Sequence, residues 1–142
     1  MIKKAEEFKL YLEKNNLTAF QMEEIEQDEN RTVVFRTHIT VQGHQIPSAL
    51  IFDNSIFTMI RVQISPQALT RENEQVLGRI IHSENEKYKP FKFYLNGDGN
   101  LMMDVCLIIL EDAVNVEEVL LMYRLVINYL DASYPSLMKA VW

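Results

Sequence analysis

The chain has 142 residues, of which 48% are hydrophobic and 24% are charged, and its formal net charge is −6. This length suits one globular domain with one core, and the composition excludes a disordered or low-complexity protein. The negative charge disfavours nucleic acid and anionic membranes as partners, because both would be repelled on average. We therefore expect a single domain over residues 1–142, and a basic protein stays compatible with it as a partner.

The location of the protein is predicted from its one cysteine and its first residues. Cys106 has no second cysteine with which to form an internal disulfide, and the opening segment MIKKAEEFKLYLEK lacks the apolar stretch of a secretory signal. No window approaches the roughly 20 apolar residues that cross a bilayer. We expect a soluble protein of the reducing cytoplasm.

The first elements are a helix and a strand. Ala5, Phe8 and Leu12 recur at three- and four-residue spacing, which predicts an amphipathic helix that ends at Asn15 and Asn16. Beyond an acidic turn, the segment RTVVFRTHITV alternates apolar and polar residues, as is typical of a half-buried antiparallel strand.

The middle of the sequence predicts further antiparallel strands. Gly43 permits a positive backbone angle, so residues 46–52 fold back as the second strand of a hairpin. Pro47 cannot donate to a ladder and belongs near the start of that strand or on an edge. Another turn at residues 53–55 leads into a strand over 56–64, which makes three or four consecutive strands.

A second helix is predicted to begin near Ser65 and Pro66, because proline disfavours the helical conformation in the residue before it and suits a first helical turn. The helix continues through Glu86, and Pro90 ends it. Its apolar stripe consists of Leu69, Val76, Leu77, Ile80 and Ile81.

A hairpin follows, with strands over residues 91–95 and 101–110. Gly97 and Gly99 supply the backbone angles of the tight connection NGDGN, which lacks the further acidic residues of a calcium loop. Cys106 lies in the second strand, which is apolar on both faces. We expect it to be a small buried hydrophobe without a nucleophilic role.

The last helix is predicted to begin at Asn115, with Glu118 three residues later as in a capping box. One apolar stripe covers the sheet and comprises Val116, Val119, Leu120, Tyr123, Val126, Ile127, Leu130 and Tyr134. A second apolar set points the opposite way and comprises Leu121, Met122, Leu125 and Tyr129. An apolar patch in water usually marks an interface, so we predict a homodimer through this second set. The alternative is that helix one or the Trp142 tail covers it.

These elements predict an α+β fold in the order α-β-β-β(-β)-α-β-β-α, with an antiparallel sheet of five to six strands packed against helices. The second half resembles the YbjN-like family of bacterial proteins described as sensory transduction regulators, whose fold is similar to that of type III secretion chaperones. The residues that carry this resemblance are Asn85, Lys92–Leu95, Asn96–Asn100, Leu101–Leu110, Glu117, Glu118, Tyr134, Pro135, Leu137 and Met138. The resemblance implies a binding or adaptor module without enzymatic activity, cofactor or catalytic residue.

Residues with chemical potential support the same interpretation. His38, His44 and His82 are isolated and form no zinc pattern with the one cysteine, so we expect no metal site. Arg36 and Arg61 could bracket an anionic ligand on an open sheet face, although cross-strand salt bridges are the favoured interpretation. Two acidic clusters are favoured as solvated faces over a site for a basic peptide. They comprise Glu23, Glu24, Glu26, Asp28 and Glu29, and then Glu72, Glu74, Glu84 and Glu86.

The sequence thus predicts a non-catalytic protein-interaction or chaperone-like regulatory module, which binds an extended or helical protein segment. One alternative is a small-molecule sensor with a pocket between sheet and helices, lined by Phe57, Met59, Tyr94 and Met103, for which plain core is the favoured interpretation. Another is an enzyme with paired carboxylates, but no spacing among the many acidic residues selects two of them.

Overall fold

The computed structural model describes residues 1–87, 90–110 and 113–142 and confirms the predicted α+β class. Six antiparallel strands form one sheet in the order β1-β2-β3-β4-β6-β5. Within the described part of the chain, no helix is long and apolar enough to cross a membrane. The elements are α1 (Lys3–Lys14), β1 (Gln21–Glu24), β2 (Val33–Val41), β3 (His44–Phe52), β4 (Phe57–Ser65), α2 (Glu74–Lys87), β5 (Phe91–Leu95), β6 (Leu101–Ile108) and α3 (Val116–Val141).

The β2–β3 hairpin forms where Gly43 predicts it. Gln42 and Gly43 have φ angles of 50° and 78°, and a two-residue turn with both angles positive matches the right-handed twist of its strands. The pairing of β3 with β4 begins at Ser48, opposite Val62, so Pro47 lies just outside that ladder. Pro47 has no N–H to donate, and because it lies outside that ladder no hydrogen bond with β4 is lost.

All three helices pack on one face of the sheet, and Phe8 of α1 lies at the centre of that contact. Phe8 is fully buried, and its ring meets Phe35 edge to face at 4.8 Å and lies 5.7 Å from Phe52. Edge-to-face pairs add stabilisation beyond the apolar area that they bury. Helix α3 crosses the same face, where Tyr123 accepts a hydrogen bond from Ser48. Leu77 of α2 is fully buried in the same core, so one hydrophobic core connects all three helices to the sheet.

Helix α3 begins as predicted, because the side chain of Asn115 accepts a hydrogen bond from the backbone N–H of Glu118 at 3.1 Å. Pro135 lies inside the helix and cannot donate to the carbonyl of Asp131, its partner four residues earlier. The side-chain amide of Gln42 donates to that carbonyl instead, and the Gln42 N–H donates to the Asp131 carboxylate at 3.0 Å. The β2–β3 turn is thereby fixed to the point where proline interrupts the helix.

The β5 edge of the sheet is closed by Asn85 at the end of α2. Its side-chain oxygen accepts from the Phe93 N–H at 2.6 Å, and its side-chain nitrogen donates to the Phe93 carbonyl at 3.0 Å. One amide thus makes the two hydrogen bonds that a neighbouring strand would make. Edge strands that are covered in this way resist pairing with another chain.

Helix α2 begins later than predicted, at Glu74 rather than near Ser65 and Pro66. Residues 66–73 form a loop held by Asn73, whose side chain donates to the carbonyls of Ala68 at 2.7 Å and Val141 at 3.0 Å. Asn73 also exchanges hydrogen bonds with Thr70, at 2.7 and 3.2 Å, so both local contacts and a contact with the end of α3 hold this loop. The predicted stripe is wrong for Leu69 and Val76, which are exposed, whereas Leu77 is buried and Ile80 and Ile81 pack partly against the core.

The prediction that Cys106 is buried is also wrong, because its side chain is exposed. Along β6, Met103 and Val105 face the helices, and the residues between them face the other side. The face of β6 that carries Cys106 also carries Asp104, and among the residues that the structure describes no helix packs on it. That uncovered face is the open face of the sheet.

Candidate functional site on the open face of the sheet

The open face carries a row of side chains that runs across all six strands. Because successive residues of a strand alternate between faces, the strand register decides which side chains become neighbours. On this face the register aligns one residue from each strand. The row consists of Gln21, Arg36, Ala49, Arg61, Asp104 and Lys92, from β1 to β5.

Two ion pairs hold three of the four charged members of this row, Arg36, Arg61 and Asp104. Arg61 donates through Nε and Nη2 to the two carboxylate oxygens of Asp104, both at 3.0 Å. Arg36 donates through Nε and Nη2 to one oxygen of Glu23, both at 3.2 Å. The favoured interpretation of the two arginines as cross-strand salt bridges is confirmed, but β2 and β4 are not neighbours, since β3 lies between them.

The Asp104 carboxylate accepts hydrogen bonds from Arg61 and Tyr94 and affects the pKa of both. It raises the pKa of Arg61, chiefly through its hydrogen bonds, against the opposing effect of burial. It also accepts a hydrogen bond from the hydroxyl of Tyr94 at 3.1 Å, and burial, followed by the carboxylate charge, raises the pKa of Tyr94. Arg61 is therefore held cationic and Tyr94 neutral. Because the Arg61 side chain is 43% exposed, the pair contributes at most about 1 kcal/mol to stability.

A depression of about 260 Å³ lies over Ala49, between the two arginines. Arg36 leans toward β1 and Arg61 toward β6, each drawn by its carboxylate partner, so the two side chains diverge on either side of Ala49. Pro47 and Met102 line the depression together with Ala49. His38 and Gln63 also line the depression. The guanidinium and amide groups at this depression can bind and orient an anion.

An apolar strip lies beside the depression on the same face. It consists of Phe57 and Met59 of β4 and their partners Ile108 and Cys106 of β6. Phe57 is 47% exposed and Ile108 is 63% exposed. Contiguous exposed apolar side chains usually mark a surface that another molecule covers. We call these four residues the β4–β6 strip.

The predicted interface set on α3 divides into exposed and covered residues. Leu121 and Leu125 are 49% and 45% exposed. Met122 is partly buried against the core. Tyr129 is buried, stacked on Phe91 with ring centroids 5.0 Å apart, and its hydroxyl donates to Glu84.

The prediction that Tyr129 lies on the surface is therefore wrong, because helix α2 and strand β5 occupy that side of α3. The elements expected to cover the second apolar set were the first helix and Trp142, and helix α2 was not among them. Trp142 is 92% exposed and does not cover Tyr129. Whether Leu121 and Leu125 contact a second copy stays a prediction.

The pocket that a small-molecule sensor would require does not form from the residues predicted to line it. Met103 is fully buried and faces the helices, whereas Phe57, Met59 and Tyr94 face the open side of the sheet. The four residues thus lie on opposite faces. The sequence did not indicate that Ala49 lies at a depression. The alternation of side chains along β2, β3 and β4 could have indicated this only if the register of the three strands had been known.

The remaining candidates for chemistry stay separate. His38 lines the depression, His44 lies against the ring of Tyr134 at 5.5 Å, and His82 lies on α2. In the described ranges, no group of three or more His, Cys, Asp or Glu residues is placed to hold a metal ion. No family model, curated protein or solved structure matches this chain.

Proposed function

We propose that this chain is a non-catalytic protein-interaction module, which self-associates through the outer face of α3 and presents the open face of its sheet to a client protein. The main support is that three helices cover one face of the sheet, while Phe57 and Ile108 stay about half exposed on the other. Such a face binds an extended or helical segment of another protein. The resemblance to the YbjN-like family and its chaperone-like fold agrees with this role.

The charge pattern of α3 supports self-association. Leu121 and Leu125 are exposed among charged residues, with Glu117 and Glu118 in the first turn and Arg124 further along. If two copies pair antiparallel about Leu121, Arg124 of one copy lies beside Glu118 of the other. Opposite charges in these positions favour this register over its alternatives.

A surface depression adjoins the same residues and supports the same pairing. It has a volume of about 410 Å³ and is lined by Glu117, Glu118, Leu121 and Arg124, together with Asn115. A second copy would place an apolar side chain against Leu121 at this depression.

Light scattering on the eluting protein tests this self-association. We expect the wild-type protein at micromolar concentration to have twice the monomer mass of 16.6 kDa. Leu125→Glu places a charge in the interface and should give a folded monomer. The matched control is Leu10→Glu, because Leu10 is an exposed leucine on α1 and its replacement should leave the dimer intact. A monomeric wild-type protein, or a Leu125→Glu dimer, would refute the α3 interface.

We also propose a cytoplasmic location for the module. The support is Cys106, a free thiol that is exposed on the open face. Exposed unpaired thiols are disfavoured in oxidising compartments, where they form disulfides with other molecules. Antibody detection after cell fractionation would test this, and recovery of the protein outside the cytoplasm would contradict it.

A further inference from the structure

Strand β1 is a free edge of the sheet, whereas the opposite edge is closed. The strand order ends at β1 on one side and at β5 on the other, and along β5 the side chain of Asn85 makes the hydrogen bonds of a neighbouring strand. Among the described residues, no strand pairs with the outer side of β1. A free edge strand is a template on which an extended segment of another protein can add as a further strand.

The hydrogen bonds between β1 and β2 show which backbone groups of β1 point outward. The N–H of Ile25 donates to the carbonyl of Thr32 at 3.0 Å, and these two residues continue the register of the β1–β2 pairs. In an antiparallel ladder, only alternate residues bond to the partner strand. Glu23 therefore bonds to β2, whereas the backbone N–H and C=O groups of Met22 and Glu24 point away from it. These two residues offer two donors and two acceptors to an added strand.

An apolar groove lies beside this edge, between β1 and the end of α1. It has a volume of about 370 Å³, and its apolar lining residues are Leu12, Leu17, Phe20, Met22 and Phe35. Leu17 is 41% exposed and Met22 is 38% exposed, so the groove is accessible. Met22 is the cross-strand partner of Phe35 and faces the covered side of the sheet with it. A side chain opposite Met22 on an added strand would therefore lie at this groove.

The charges along the β1 edge do not cancel. Residues 23–31 carry five carboxylates and one arginine. The neighbouring Arg36 pairs with Glu23, but in the described part of the chain Glu24 and Glu26 take part in no ion pair. Lysine or arginine directly opposite Glu24 would form a favourable cross-strand pair, and an acidic residue there would be repelled. The edge thus favours a basic segment over an acidic one.

The same charges disfavour a second copy of this chain at the edge. Two antiparallel β1 strands that bond through both Met22 and Glu24 place the two Glu23 side chains directly opposite each other. A shifted register that pairs Glu24 with Glu24 also brings two carboxylates together. Like charges directly opposite each other destabilise a strand pair. The carboxylates therefore select a basic partner and reject the edge of another copy.

We propose that β1 pairs antiparallel with an extended basic segment of a partner protein. The segment places a lysine or arginine opposite Glu24 and, two positions later, an apolar residue opposite Met22 at the groove. The inference goes beyond the proposed function, because the β1 edge belongs neither to the open face of the sheet nor to the outer face of α3. Its failure would leave both of those surfaces untouched.

Hydrogen exchange followed by NMR tests the strand addition. The probe is the peptide acetyl-Thr-Lys-Thr-Val-Thr-amide, added to the isotope-labelled full chain. Exchange of the Met22 and Glu24 amides should slow about tenfold when about 90% of the protein is bound, because only the free protein then exchanges these two hydrogens. The Glu23 amide, which already bonds to β2, should change less. The same peptide with Glu in place of Lys should bind about fivefold more weakly, because an attractive cross-strand pair becomes a repulsive one.

Three variants locate the binding. Glu24→Gln should remove the difference in affinity between the Lys and Glu peptides, and it leaves the ladder with β2 unchanged. Met22→Pro removes an outward N–H that does not bond to β2, so the sheet should tolerate it while the peptide no longer binds. The matched control is Glu86→Gln, which removes an exposed carboxylate from α2, at the β5 end of the sheet. Its affinity for the Lys peptide should equal that of the wild-type protein.

Three results would overturn the inference. If the Lys peptide binds but exchange at Met22 and Glu24 does not slow, the peptide adds no strand to β1. If the Glu peptide binds as tightly as the Lys peptide, the edge accepts strands of either charge and the assignment to a basic partner fails. If these amides are already protected in the free protein and Met22→Pro, rather than Leu125→Glu, gives the monomer in light scattering, a second copy occupies the edge.

Discussion

The two faces of the sheet carry different kinds of side chain, although successive residues of each strand alternate between the two faces. On the covered face, one row across β2, β3, β4 and β6 consists of Phe35, Leu50, Ile60 and Val105, all at most 1% exposed. The next row on the open face consists of Arg36, Ala49, Arg61 and Asp104. Period-two alternation thus gives one set of strands a buried face that stabilises the fold and an exposed face.

The largest expected difference between the faces is in the free energy of unfolding. Phe8 is fully buried against the covered face, and Phe57 is 47% exposed on the open face. Phe8→Ala should lower the free energy of unfolding by about 3–5 kcal/mol, because it leaves a cavity among aromatic rings. Phe57→Ala should change it by less than about 1 kcal/mol. Urea denaturation of both variants measures the difference.

A comparable loss for both phenylalanines would break the distinction between the faces. It would mean that Phe57 is covered in solution, either by a second copy or by residues that pack on the open face. Dilution separates these two cases, since cover by a second copy makes the unfolding midpoint depend on concentration.

The next largest effect is expected at alkaline pH, where a tyrosine on each face can be compared. Burial raises the pKa of Tyr123, on the covered face, to about 12, and the hydrogen bond from Ser48 lowers it only partly. The unfolded chain ionises near the ordinary value of 10.0, so the neutral folded form is favoured below pH 10. This stability is lost as the pH rises from 10 to 12, and two pKa units correspond to roughly 2–3 kcal/mol.

The measurement is the unfolding midpoint in urea between pH 9 and 12, as a series on the wild-type protein and two variants. Tyr123→Phe should flatten the alkaline decline. Tyr94→Phe, on the open face, should leave most of it, because the pKa of Tyr94 is raised less than that of Tyr123. An unchanged decline in Tyr123→Phe would show that other groups cause the alkaline loss.

Local patterns predicted the order of elements and the turns. Gly43 set the β2–β3 hairpin, and Asn115 set the start of α3, because a positive φ and an N-cap depend on residues next to each other in the chain. The start of α2 was misplaced although Thr70 and Asn73 exchange local hydrogen bonds just before it. The further bond from Asn73 to the carbonyl of Val141 joins residues 68 positions apart, and no local pattern encodes that contact.

The candidate site was predictable only in part for the same reason. The salt bridges of Arg36 and Arg61 followed from polar positions on alternating strands, but the depression needs Ala49 between them, and this depends on the register of three strands. Tyr129 was misplaced because helical periodicity gives the direction of a side chain and not its neighbours. Its cover comes from Glu84 of α2 and Phe91 of β5, which approach only in the folded chain.

The smallest predicted effect concerns how the helical layer is fixed to one end of the sheet. Gln42→Ala removes the donor to the Asp131 carbonyl that Pro135 leaves without a helical partner, and should cost about 1 kcal/mol in the free energy of unfolding. The matched control is Gln45→Ala in the same hairpin, where the lost bond to Thr40 joins two exposed side chains and should cost less than about 0.5 kcal/mol.

A double-mutant cycle with Pro135→Ala decides whether the proline creates the need for Gln42. Alanine at 135 restores an N–H that can bond to the Asp131 carbonyl, so the cost of Gln42→Ala should fall by more than half in that background. Equal costs in both backgrounds would show that the bond from the Gln42 side chain to the Asp131 carbonyl stabilises the protein whether or not residue 135 is proline. The bond from the backbone N–H of Gln42 to the Asp131 carboxylate is kept in every variant, so it does not contribute to the difference that the cycle measures.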